Sequence, residues 1–175
     1  ALPIYREMNH KRGEGVVLNN LGHVYLQQGN YDKAERFFQR TLHAYQRVGD
    51  RQMEGMATHN LGRIYLQQGR YDDAKTYLEQ SLRVSREIGN RLAEGWGLLN
   101  LGRTALIWND YAVAQSNCER ALRAFREIGV QQGESTALIN LGAVFHQQGH
   151  YTRAETRLEQ ALLIFCAIGD RQGEG

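Results

Sequence analysis

The chain has one proline in 175 residues, two cysteines, no apolar run longer than Ala161 to Ile168, and almost no net charge. Each shortage excludes a class. With 42% hydrophobic residues and mixed charge, it does not resemble a disordered chain. The apolar run falls far short of the roughly 20 residues that span a bilayer. Twenty-one Lys and Arg face 19 Asp and Glu, leaving a formal +2, so no general field draws nucleic acid or an anionic membrane. Neither is expected as a partner. No charged-then-apolar leader opens the chain, and a cytoplasmic setting is expected. Cys118 and Cys166 are too few for a disulfide framework or a thiolate metal site. Cys118 shares its phase with Phe38, Leu78 and Leu158 and reads as core, whereas Cys166 shares a polar phase with Gln46, Arg86 and Arg126.

What is abundant is repetition. Asn-Leu-Gly recurs at 20–22, 60–62, 100–102 and 140–142, so one 40-residue unit is present four times. Gly29, Gly69 and Gly149 stand two residues before Tyr31, Tyr71 and Tyr151, and Asn109 replaces the glycine before Tyr111. Ala34, Ala74, Ala114 and Ala154 follow in phase, and Gly49, Gly89, Gly129 and Gly169 close each copy. A fixed period of this size signals a solenoid, in which each unit buries its apolar face against its neighbours.

Phase divides the chain into a partial unit at 1–15, units at 15–49, 50–89, 90–129 and 130–169, and the start of another at 170–175. A segment of a longer array is the expectation. In the second unit Asp50 predicts a helix start, Glu54 suits the first turn, and Gln68 with Gly69 predicts its end. Met56, Leu61, Ile64 and Tyr65 give it an apolar stripe. A second helix is predicted from about Tyr71 to Ile88, stopping at Gly89. Gly62 lies inside the first helix, where glycine costs about 1 kcal/mol relative to alanine. Close approach of the paired helix, near Ala74, would offset that.

These positions carry a family resemblance. Leu18, Leu21, Gly22, Tyr25, Gly29, Tyr31, Ala34, Phe38 and Thr41 fill the places that mark the tetratricopeptide repeat, whose usual unit is about 34 residues. The longer unit, with its Gly-Asp-Arg-Gln-x-Glu-Gly stretch at 49–55, resembles the 40-residue subclass of animal spindle-orientation adaptors and of sensor arrays in bacterial regulators and signalling ATPases. The resemblance implies an all-α solenoid of stacked antiparallel helix pairs, wound as a right-handed superhelix whose first helices line a concave groove.

Carried over by position, that groove presents Asn19, Asn20 and His23 from the first unit, and His59, Asn60 and Arg63 from the second. The third supplies Trp96, Leu99, Asn100 and Arg103, and the fourth Asn140. Each asparagine offers one acceptor and two donors, which suits either the backbone of an extended peptide or the neighbouring helix of the stack. Both roles stand. Arg63 and Arg103, one repeat apart, suit a carboxylate-bearing ligand or plain solvation. The grip on acidic chaperone tails seen in this family is not expected, because its lysines are missing here. In the third unit Ala105 replaces an aromatic and Trp108 replaces a glutamine. Trp108 either joins Trp96 and Leu99 in an apolar anchor pocket or fills the void beside Ala105.

His146 and His150 have chelating spacing, but Gly149 separates them and no third ligand is evident, so no metal or other cofactor is expected. Arg83, Arg86, Arg123 and Arg126 are interleaved by Glu79, Glu87, Glu119 and Glu127, which reads as a solvated face. No nucleophile with a base, carboxylate dyad or phosphate loop rises above the repeat, so enzyme activity is not expected. The reading is a non-catalytic protein-interaction module that binds a peptide or partner segment, one with acidic side chains suiting Arg63 and Arg103. The alternative is a structural spacer or an array that self-associates through exposed ends carrying Leu162, Ile164, Phe165 and Ile168.

Overall fold

A computed structural model describes the backbone of residues 2–173 and the side chains of residue 10 and residues 12–169. Among the described residues there are eight helices and no strand: α1 (Leu2–Gln27), α2 (Tyr31–Val48), α3 (Arg51–Gln67), α4 (Tyr71–Glu87), α5 (Arg91–Ile107), α6 (Tyr111–Glu127), α7 (Gln131–Gln147) and α8 (Tyr151–Gly173). Two compact units form, one ending at Gly89 and the other beginning at Asn90. In the first, α1 packs on α2, α2 on α3, and α3 on α4; in the second, α5 packs on α6, α6 on α7, α7 on α8, and α5 also meets α7. The fold is the expected all-α solenoid.

Local chemistry sets the helix ends. Asp50 accepts a hydrogen bond from the Met53 amide at 3.2 Å, and Asn30, Asn90 and Asp110 cap α2, α5 and α6 in the same way. Arg70 and Val130, which precede α4 and α7, make no side-chain cap. Termination uses a left-handed residue: Gly49 has φ 68°, and Asn109 takes φ 59° where the repeat has glycine. The Asn109 side chain accepts from the Tyr111 hydroxyl at 3.0 Å, which steadies this turn. α1 and α8 run straight through the phase at which inner units turn, Asn9 with His10 and Gly169 with Asp170. The inner turns are held by a following helix that packs back, as α3 does on α2.

The helix glycines sit at close crossings. A Cβ on Gly62 would lie 2.7 Å from Leu78 Cγ and 3.3 Å from its backbone nitrogen. A Cβ on Gly22, Gly102 or Gly142 would likewise lie 2.8 Å from Phe38, Cys118 or Leu158, so one close crossing recurs four times. The partner is therefore the residue four beyond Ala74. Cys118 is buried, and burial, helped by the Glu119 carboxylate, pushes its thiol up to about 12; Cys166 is exposed. In the first unit Ala34, Phe38, Leu61, Ile64, Tyr65 and Ala74 form one buried cluster. In the second, Ala114, Val144, Leu106 and Tyr111 close around Ala105. Trp108 does not fill that space: it caps α5 and stays 41% exposed.

Candidate functional site

The first helices of the repeats carry the expected site residues, and the structure gives these residues unequal surroundings. In the first unit Asn20 on α1 is exposed. Asn60 on α3 is only 4% exposed, and its Nδ2 donates to Asn19 Oδ1 at 3.3 Å and lies 3.3 Å from His23 Nε2. Asn60 thus ties α3 to α1. His23 is half-buried with its ring edge-on to Phe38, centroids 5.1 Å apart. Burial lowers its pKa, and the nearby Arg63 charge lowers it further. His59, also half-buried, is drawn down to about 4 by the same two causes in the same order. Both imidazoles are therefore neutral near pH 7, and the guanidinium of exposed Arg63 supplies the positive charge beside them.

In the second unit Trp96 is half-buried and meets the Phe125 ring at 5.1 Å, which ties α5 to α6. Leu99 is buried in the core, and Asn100 is 9% exposed. Arg103 is exposed. Asn140 on α7 is half-buried, and its Nδ2 has no hydrogen-bond partner. By repeat phase the α5 residue equivalent to Asn19 is Leu99, which offers no acceptor. That substitution explains why the Asn140 amide lacks the bond that Asn60 makes.

Asn20, Arg63 and Arg103 are exposed, and His23, Trp96 and Asn140 are half-buried. Asn60, Leu99 and Asn100 are buried. For Asn60 the structure shows the bond to a neighbouring helix that the sequence held open as one of two roles; that its partner is Asn19, at the phase of His59 and Leu99, was not named there. Among the described residues no three His, Cys, Asp or Glu side chains gather as a metal set, and no helix is long and apolar enough to cross a membrane.

A family model described as tetratricopeptide repeat matches residues 13–87, 54–127 and 98–167. No curated protein matches the chain. Among solved structures, it is similar to BtubC (BKLC) from P. vanneervenii, at 24% identity and TM-score 0.79 over 89% of this chain and 64% of that one. It is also similar to a Signal Transduction ATPase with Numerous Domains from Pyrococcus horikoshii that has a tetratricopeptide repeat sensor, at 22% identity and TM-score 0.77 over 90% of this chain and 25% of that one. A third is a Rap protein complexed with Competence and Sporulation Factor, at 16% identity and TM-score 0.80 over 89% of this chain and 43% of that one. At such identities the likeness concerns the fold alone. The chain spans less than two thirds of the length of each of the three.

Proposed function

Since the chain belongs to the tetratricopeptide repeat family, we propose that in each compact unit the first helices offer a non-catalytic face that binds a peptide or partner segment bearing carboxylates. The fold and family support a protein-interaction module in general. The finer reading rests on one observation: Arg63 and Arg103 are both exposed at the same repeat phase, in a setting otherwise neutral or amide-bearing. Guanidinium groups pair with carboxylates through forked hydrogen bonds. The unmatched Nδ2 of Asn140 adds a donor suited to a ligand carbonyl, and Asn20 adds an exposed amide. Asn60, Asn100, Leu99 and Trp96 serve this face by positioning it, and His23 and His59 keep it from accumulating further charge.

Selection from a displayed random-peptide library tests the reading. Binders enriched in Asp and Glu are expected, with affinity falling about tenfold or more in an Arg63→Ala, Arg103→Ala variant whose melting temperature is unchanged. Equal binding by wild type and variant would remove the proposal.

Self-association is the second reading, favoured by the outer surface of α8, where Leu162 is 63% and Leu163 70% exposed and Phe165 lies beside them. A molar mass that rises with concentration in light scattering is expected on that reading, and a constant monomer mass would exclude it.

A further inference from the structure

On α4 and α6 the arginines have acids among them, but α2 breaks that pattern. At the phases of Glu79 and Glu87 it carries Gln39 and Arg47. Arg36, Arg40, His43 and Arg47 then recur every three or four residues, which places them on one helix face over roughly 16 Å. They line a cavity of about 510 Å³ between α1 and α2, to which α1 contributes Glu14 and Leu18.

The next two helix pairs are clasped at the equivalent height. Glu87 of α4 pairs with Arg51 of α3, and Glu127 of α6 pairs with Arg91 of α5. In the first pair those phases hold Arg47 and, in the sequence, Lys11, so opposite charges are replaced by like ones. Among the described residues no ion pair reaches Arg36, Arg40 or Arg47, and Glu14 is the single acid of the lining. A row of cations within about 10 Å of one another repels itself, and an anionic occupant relieves that repulsion.

We propose that the cleft between α1 and α2 docks an acidic segment of a partner protein, its carboxylates meeting Arg36, Arg40 and Arg47 and an apolar side chain resting on Leu18. The spacing favours a chain over a small anion, because one phosphate-sized group spans only a fraction of 16 Å. It also favours a peptide over nucleic acid, since among the described residues no Phe, Tyr or Trp lines the cavity to stack on a base. The cleft shares no residue with the Arg63 and Arg103 face and stands independently of it.

Fluorescence anisotropy with a labelled peptide of Glu and Leu tests the proposal. Binding that weakens with salt is expected, with a loss of about tenfold or more in Arg40→Glu, Arg47→Glu. Measured in an Arg63→Ala, Arg103→Ala background, so that the first-helix face does not contribute, Arg83→Glu on α4 should leave it unchanged, which separates this cleft from general charge. If charge reversal prevents folding, Arg40→Gln with Arg47→Gln should show a loss of several-fold. Unchanged affinity in a folded cleft variant, an equal loss in Arg83→Glu, or displacement of the peptide by a lower concentration of an oligonucleotide of equal charge would overturn it.

Discussion

Gly62 illustrates how one residue reconciles opposing demands. As a helix former it is about 1 kcal/mol worse than alanine, yet a Cβ there would enter the Leu78 side chain and approach its backbone nitrogen. Overpacking of this kind costs typically 1–3 kcal/mol, so packing outweighs propensity. Gly13 is the control, since nothing lies within 4 Å of a Cβ added there. Gly62→Ala is expected to lose about 1 kcal/mol in urea unfolding, and less than that when introduced into a Leu78→Ala background, whereas Gly13→Ala gains up to about 1 kcal/mol. Asn109 shows the same logic at a turn. Asparagine tolerates the left-handed region and compensates with a side-chain bond to Tyr111, so Tyr111 keeps its phase without the glycine.

At the scale of the element, α3 and α2 carry different charges on similar frames. α3 holds His59 beside Arg63, and burial keeps the imidazole neutral in the folded state. The folded pKa of about 4 lies below the ordinary 6.5, so the unfolded chain binds the proton more readily. Stability from this group is complete above about pH 6.5 and is lost as pH falls toward 4, by up to about 3 kcal/mol. Urea titrations at pH 7 and pH 4.5 should show the decline, and His59→Gln should flatten it; an unaltered slope in the variant would count against this account. His23 shifts in the same direction. α2 holds its cations along the opening beside α1, where the neighbouring pairs hold clasps. One phase differs in sign, Arg47 on α2 against Glu87 and Glu127, which pair with Arg51 and Arg91.

At the scale of the molecule, stability in a repeat protein is distributed between the helix pairs and their contacts with neighbours. α8 rests on α7 and leaves Leu162 and Leu163 in solvent, while α3 is packed by both α2 and α4. Hydrogen exchange should therefore release the α8 amides at least about tenfold faster than those of α3. Uniform exchange across the helices would contradict a stack of locally supported layers. Most of the architecture was legible in the sequence because each determinant is local and repeated: Asp50 starts α3, Gly49 stops α2, and Leu61, Ile64 and Tyr65 mark a buried stripe. α1 and α8 departed from the repeat by running helical through the phase at which α2 gives way to α3, so the residues at that phase do not by themselves stop a helix. The candidate site was less legible. Its residues were found by phase, but phase does not report depth.

The sequence alone determined that this protein is four copies of a helix pair, where the inner helices begin and end, and which face of each turns inward, since spacing and capping act within a few residues. Tertiary structure decided which of four identical asparagines reach solvent. Asn60 is committed because α1 offers it Asn19, and Asn140 is unmatched because α5 offers Leu99 at that height. The fate of a polar side chain is set by the atom facing it, and that atom belongs to another helix.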